Sequence, residues 1–249
     1  MKPFLVKAKE EIAPGYVLLT LAGDLAPAQP GQFVMLRAWP AFDPLLARPF
    51  SIHDAAPGLL KILFQVRGRG TTLLAQKKPG DLIEVLGPLG RGFPVEENAP
   101  ALLVAGGIGI APFLFFAKRL LEVGRKVVLF YGARGEGDLL CLEEFESLNI
   151  PLKISTEDGS KGAKGLVTDL LQTYLSQDGK GIVYACGPMP MLSAVAEVAR
   201  HFNTKAYVSL EAHMACGLGM CLGCTVARKE KGFLHVCSEG PVVPAEAVF

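Results

Sequence analysis

Four of the six cysteines fall in the last 34 residues, as Cys216, Cys221, Cys224 and Cys237, a C-x4-C-x2-C-x12-C run. The first three cysteines, with their two spacings, match the plant-type 2Fe–2S ligand pattern. Gly217, Gly219 and Gly223 are interleaved with them. Such glycines let a loop wrap closely and aim backbone N–H groups at sulfur. Structural zinc also takes four thiolates, but usually as two short cysteine pairs, and here only Cys221 and Cys224 form one. One-electron transfer is therefore the expected chemistry, with a structural zinc as the alternative. A disulfide framework fits poorly, because the cysteines are gathered at one end and no export signal precedes them.

Three upstream motifs have residue types suited to nucleotides. Arg48-Pro49-Phe50-Ser51 offers a guanidinium for a pyrophosphate and a hydroxyl for a flavin ring edge. It is equally a proline-containing edge strand with a surface arginine. Val66-Arg67-Gly68-Arg69-Gly70-Thr71-Thr72 is either a glycine-rich turn entering a short helix or a hairpin turn. Gly106-Gly107-Ile108-Gly109-Ile110-Ala111-Pro112 follows an apolar run and opens a helical stretch. Such a turn admits a dinucleotide pyrophosphate, yet its glycines are not spaced as GxGxxG, so a tight structural turn stays open. Cys186 ends another apolar run before Gly187-Pro188. It is either a small buried hydrophobe or the lining of a crevice at a strand's carboxyl end.

The elements that must position these residues change character along the chain. Short apolar runs at Tyr16–Leu21, Gln32–Leu36, Leu59–Val66 and Leu82–Val85 are punctuated by Pro-Gly and Ala-Gly pairs, which predicts a small antiparallel barrel or sandwich. After Asn98 the pattern alternates. Strands are expected at Ala101–Ala105, Lys126–Tyr131, Leu152–Ser155, Gly181–Ala185 and, as the last one, Ala206–Leu210. Helices are expected at Ala111–Val123, Leu142–Ser147, Leu166–Leu175 and Met189–His201. That alternation implies a parallel sheet covered on both faces. The expected division is a β domain over 1–97, an α/β domain over 98–210 and a cysteine segment over 211–249.

With 249 residues, half of them hydrophobic, the chain has material for one large or two modest cores. The net charge of +1 gives no electrostatic case for nucleic acid or an anionic membrane surface. The apolar stretch near 101–117 is broken by glycines and a proline, too short for a span. With no secretory pattern at the start and with free cysteines, a cytoplasmic setting is expected.

Taken in order, Arg-Pro-Phe-Ser, the Gly-Thr turn, Gly-Gly-Ile-Gly-Ile-Ala-Pro and Cys-Gly-Pro resemble the ferredoxin–NADP reductase superfamily. The run from Ser209 to Cys224 narrows the resemblance to the electron-transfer subunits of class 1B, NAD-dependent dihydroorotate dehydrogenases. Gly87–Phe93 and Thr156–Ser160 are similar to loops of that family. The resemblance implies a flavin barrel, a nicotinamide domain and a 2Fe–2S segment. By position, Arg48, Pro49, Phe50, Ser51, Leu63, Phe64 and Gln65 would contact FAD, with Gly70 and Thr71 at its phosphates. Gly107, Ile108 and Gly109 would lie under NAD(H), with Cys186, Gly187 and Pro188 near the nicotinamide. Ser51 and Cys186 would be the catalytic pair, and Cys216, Cys221, Cys224 and Cys237 the cluster ligands. Two positions depart: Phe64-Gln65 stands where Tyr-Arg is frequent, and Arg91 where asparagine is common.

The implied activity is relay. A partner subunit containing FMN would oxidise dihydroorotate, in a heterotetramer of two of each chain, and electrons would reach NAD+ through the cluster and FAD. The step belongs to pyrimidine (UMP) biosynthesis. A small subunit of an electron-bifurcating ferredoxin–NADP oxidoreductase or of a hydrogenase or sulfhydrogenase diaphorase shares this layout. A zinc-stabilised regulatory module is the non-enzymatic alternative.

Overall fold

The structure is a computed structural model and describes all residues except 40, 41, 97, 98 and 178. The expected boundary between residues 97 and 98 therefore lies outside the described residues.

The N-terminal half contains β1 (Lys2–Ala13), β2 (Tyr16–Ala22), β3 (Phe33–Arg37), β4 (Arg48–Ser51), β5 (Asp54–Ala56), β6 (Leu59–Gln65), α1 (Arg69–Ala75) and β7 (Leu82–Leu89). Its strands form one antiparallel sheet in the order β4-β3-β7-β1-β2-β6-β5. Only Ile52 and His53 separate β4 at one end of this sheet from β5 at the other. Three extended residues span about 10 Å, so the sheet must curl until its two ends meet. The result is barrel-like, with chain continuity rather than a ladder joining the end strands. Phe4, Val6, Val17, Leu19, Val34, Leu36 and Ile62 fill its interior.

The second half runs β8 (Ala101–Gly106), α2 (Phe113–Glu122), β9 (Val127–Ala133), α3 (Leu142–Glu146), β10 (Leu152–Thr156), β11 (Ala163–Lys164), α4 (Val167–Ser176), β12 (Ile182–Cys186), α5 (Met189–His201) and β13 (Ala206–Ser209). The remaining elements are β14 (Thr225–Ala227), β15 (Phe233–His235), α6 (Val236–Glu239) and β16 (Val242–Pro244). The strand order is β11-β10-β9-β8-β12-β13-β16, parallel throughout except for β16. β8 and β12 have no exposed residue, as expected of strands covered on both faces. In α2 the buried residues Phe113, Leu114, Phe116, Ala117 and Leu120 make one stripe.

Ala206–Ser209 is not the last strand. β16 returns from beyond the cysteines and pairs antiparallel with it, Ser209 opposite Val242. The cysteine segment is thereby anchored at both ends. The two halves share a core in which Phe93 stacks on Phe116 with ring centroids 4.7 Å apart. Among the described residues no helix is long and apolar enough to cross a membrane.

Candidate functional site

Strand order in the second sheet reverses direction at β8 and β12, since the chain proceeds to β9 on one side and to β13 on the other. A ligand crevice is expected outside the carboxyl ends of such a pair. Gly106 ends β8, Cys186 ends β12, and the expected Gly107-Ile108-Gly109 turn follows β8. A Cβ at Gly109 would collide with the Cys186 carbonyl oxygen, and one at Gly106 would sit 2.5 Å from Met191 Sδ. Glycine here lets the two strand ends approach.

A crevice of about 600 Å³ opens over this point, lined among others by Gly107, Ile108, Gly187 and Pro188. Gly109 itself is buried beneath it. Glu157 and Arg134 line the far end. Asp158 is turned aside, its Oδ1 accepting from the Ser160 backbone N–H at 2.9 Å and its hydroxyl at 2.6 Å.

A second crevice, about 290 Å³, lies between the halves. It gathers Pro49, Phe50 and Ser51 from β4, Leu63, Phe64 and Gln65 from β6, Thr71 from α1, Ile108 from the turn after β8 and Cys186 from the end of β12. Apolar side chains with a few polar edges suit a flat heteroaromatic ring. Ser51 and Cys186, 135 positions apart in sequence, are thus brought to one cavity. Cys186 is fully buried, and burial, with Glu211 adding to it, pushes its thiol up to about 12, so it stays neutral.

Arg48 and Gly70 line neither crevice. The Arg48 guanidinium lies 5.8 Å from the Trp39 ring centroid, and its Nη1 donates to the Leu46 carbonyl at 2.5 Å. A Cβ on Gly70 would meet Arg48 Nε at 3.1 Å, so the two are neighbours at one corner. Thr71 reaches the crevice, but its hydroxyl closes the turn, accepting from Arg67 N–H at 2.9 Å and Gly68 N–H at 3.0 Å.

Gln65, where arginine is frequent in the resembling family, accepts at Oε1 from Arg67 Nε at 2.5 Å. Its amide nitrogen donates to Tyr16 Oη at 3.0 Å, and Tyr16 donates to Asp138 Oδ1 at 3.0 Å. Burial, then this bond to Asp138, raises the Tyr16 phenol above its usual range. A polar chain therefore crosses from the barrel to the second half along the wall of both crevices. Tyr16 and Asp138 were not anticipated from sequence as site residues. Their partners are up to 122 positions away, and no local spacing marks them.

The four cysteines stand as two pairs. Cys224 and Cys237 are buried with sulfurs 3.2 Å apart, whereas Cys216 is half-buried and Cys221 exposed. Backbone N–H groups of Leu218 and Cys221 point at Cys216 Sγ at 3.3 and 3.5 Å, and hold that thiol down to about 6. Gly219 N–H donates to Cys237 Sγ at 3.1 Å and Cys237 N–H to Cys224 Sγ at 3.4 Å. Burial and the neighbouring Cys224 keep the Cys237 thiol up at about 11. Four thiolates on one zinc, with Zn–S about 2.3 Å, would all sit about 3.8 Å apart. Among the described residues, no three of these sulfurs fall within 4.8 Å of one another. Two pairs with N–H donors aimed at sulfur fit a two-iron cluster. The segment leading to them, with Ala212 and Met214, also lines the smaller crevice.

Comparison with known proteins matches residues 103–197 to the family described as oxidoreductase NAD-binding domain. Residues 211–249 match the iron-sulfur cluster binding domain of dihydroorotate dehydrogenase B. The dihydroorotate dehydrogenase B (NAD(+)) electron transfer subunit of Geobacillus kaustophilus is 44% identical, over 92% of this chain and 91% of its own. Its homolog from Aquifex aeolicus is 39% identical, over 88% and 86%. A solved structure of an electron-bifurcating NADH-dependent reduced ferredoxin-NADP oxidoreductase superposes with a TM-score of 0.90 at 32% identity, covering all of this chain and 90% of that one. With that identity over nearly the full length of both sequences, and with the cysteine segment matching that family's own cluster domain, the chain belongs to the family of dihydroorotate dehydrogenase B electron transfer subunits.

Proposed function

We propose that this chain accepts electrons from an FMN-containing subunit that oxidises dihydroorotate and delivers them to NAD+, in a cytoplasmic complex of two copies of each. The supporting observation is adjacency. The smaller crevice shares Gln65, Arg67, Ile108 and Glu211 with the larger one, and the approach to the cysteines forms another of its walls. The two crevices adjoin, and the chain that borders the smaller one leads on to the cysteines. FAD held in the smaller crevice would supply the conversion between one-electron transfer and hydride transfer.

The residues have distinct tasks in this reading. Phe50 and Phe64, with ring centroids 5.4 Å apart, shape the flavin crevice. Ser51 would offer a hydroxyl at the ring edge, and neutral Cys186 with Ile108 would form a wall for the nicotinamide. Arg48, beside Gly70, holds the pyrophosphate corner. Cys224 and Cys237 form the inward ligand pair, Cys216 and Cys221 the outward one. Leu218, Met220 and Leu222 are exposed around the outward pair, which makes this loop the docking face for the flavin subunit. In this reading the chain divides into a flavin domain over 1–97, a nicotinamide domain over 98–210 and a cluster segment over 211–249.

Glu157 and Arg134 line the same crevice. The carboxylate would oppose a 2′-phosphate and the guanidinium would favour one, and the preference in this reading is NAD(H), set by Glu157. Glu157→Ala is expected to shift the kcat/KM ratio toward NADP(H) by about tenfold. An unchanged ratio removes that role.

The isolated chain is expected to oxidise NADH with an artificial acceptor and to be inactive on dihydroorotate. Addition of the partner subunit restores dihydroorotate-dependent NAD+ reduction. Dihydroorotate turnover by the isolated chain would overturn the reading. A second reading, a subunit of a bifurcating ferredoxin–NADP oxidoreductase, is supported by the TM-score of 0.90. Co-purification separates them: that reading requires a large subunit that reduces ferredoxin and does not act on dihydroorotate.

A further inference from the structure

One buried polar group serves neither crevice. His53 has no exposed surface and lies between β4 and β5, two residues beyond Ser51. Its Nδ1 is 2.7 Å from the Ala111 carbonyl oxygen. A carbonyl only accepts, so Nδ1 carries a proton and donates it. The other ring nitrogen, Nε2, is buried and has no hydrogen-bond partner. It faces Glu144 Oε2 across 3.6 Å. A buried ring nitrogen without a hydrogen-bond partner therefore faces a carboxylate oxygen. Such a pair is bridged by a proton or by a cation.

Cys141 completes the group. The ring nitrogen of His53, Cys141 Sγ and a Glu144 carboxylate oxygen all lie within 4.8 Å of one another. Cys141 immediately precedes α3, with φ of 56°, and Glu144 lies in the helix itself. Lys61 approaches the other Glu144 oxygen, Oε1, at 3.9 Å and leaves Oε2 to face the ring.

From this geometry we infer that His53, Cys141 and Glu144 form a site for one divalent transition-metal ion of zinc-like preference, tying the flavin half to the nicotinamide half. An imidazole, a thiolate and a carboxylate are the borderline donor set that zinc takes, and three ligands leave one position for water. With Zn–N and Zn–O bonds near 2.1 Å, tetrahedral ligands stand about 3.4 Å apart. The 3.6 Å between His53 and Glu144 is already close to that. A Nδ1–H donated to a backbone carbonyl is the usual way a ligating histidine is oriented. Thiolate and carboxylate together balance the dication. Cys141 and Glu144 are half-exposed and give the ion a path. The ion would cross-link β4–β5 to α3, away from the cluster cysteines, and its binding does not depend on the proposed electron path.

The test uses the FAD- and iron-loaded complex with its partner subunit, stripped of loosely held metal. Zinc is titrated against a competing fluorescent chelator, with zinc and iron measured after gel filtration. We expect one tight zinc per chain without loss of iron, and a thermal midpoint that rises with zinc concentration. Cys141→Ser and Glu144→Gln should each weaken zinc binding by at least about tenfold while keeping full flavin and iron. Absence of a tight zinc equivalent in the wild-type complex overturns the site and leaves His53 and Glu144 as a protonated ion pair. Stoichiometric zinc that both variants retain, or zinc taken up only as iron is lost, equally overturns it.

Discussion

At the scale of single residues, chemistry here depends on side chains whose environment keeps them in one state. Cys186 lies in a dry strand end where its thiol remains protonated, so it contributes a contact surface rather than a nucleophile. Ser51 faces the same cavity from the opposite sheet. A hydroxyl that hydrogen-bonds a ring edge as charge develops there is worth about 1.5–3 kcal/mol. Ser51→Ala should accordingly slow NADH oxidation by about ten- to 150-fold with little change in flavin content. Stopped-flow flavin bleaching reads this directly, and undiminished bleaching would remove Ser51 from the mechanism. An iron–sulfur segment was legible from cysteine spacing, because a loop that wraps a cluster needs its thiols at short, regular intervals, and residues 211–249 match such a domain. The Arg67–Gln65–Tyr16–Asp138 chain was not, because three separate elements supply it.

At the scale of elements, the decisive feature is how closely β8 and β12 end beside each other. Gly109 has no room for a Cβ against the Cys186 carbonyl, a backbone atom that cannot rotate away. Gly109→Ala should cost about 1–3 kcal/mol, as overpacking does, and raise the KM for NADH. A denaturation midpoint and a KM both equal to wild type would refute the close-approach argument. β13 is held to the segment ahead of β8 through Glu96, whose carboxylate accepts from Lys205 Nζ and Tyr207 Oη, both at 2.5 Å. Those bonds, Lys205 first, hold the Glu96 carboxyl below its ordinary 4.5. A carboxyl held low when folded binds its proton more readily when unfolded. Its stabilisation is therefore present above pH 4.5 and drains as pH falls below it. Glu96→Gln should flatten that acid limb of the unfolding curve, and superimposable curves would show that the pair contributes nothing. Most of the α/β elements followed from strand–helix alternation, whereas β1 was hidden. Its Lys7, Lys9, Glu10 and Glu11 lie on a long exposed strand with few buried positions besides Phe4 and Val6.

At the scale of the whole molecule, the cysteine segment is built into both halves. Cys224 and Cys237 share a core with Phe33 and Met35 of the barrel and Val208 of the second sheet. Gly217 packs so closely that a Cβ would meet Met35 Cγ at 2.9 Å. Loss of the cluster should thus separate two activities without dissolving the fold. Cys221 is exposed, so its replacement carries little packing cost. In Cys221→Ser we expect the 2Fe–2S absorbance to disappear and dihydroorotate-dependent NAD+ reduction to be abolished, while NADH oxidation with an artificial acceptor continues. Survival of the dihydroorotate reaction in a cluster-free protein would place the electron path elsewhere.

Sequence alone determined the composition of the parts: a ligand set, a glycine turn between strand and helix, and a change of periodicity near residue 98. These are local properties, carried by spacing and by the backbone preferences of glycine and proline. Tertiary structure decided what adjoins what. Only the curling of the first sheet brings Ser51 to Cys186, and only the return of β16 fastens the cysteine segment against β13. His53, Cys141 and Glu144 meet through the packing of two halves and leave no trace in spacing. The four cysteines could thus be read as a one-electron site before any fold was known. The placing of the segment that leads to them, Ala212 and Met214 included, as a wall of the smaller crevice is a product of long-range packing, which no run of residues encodes by itself.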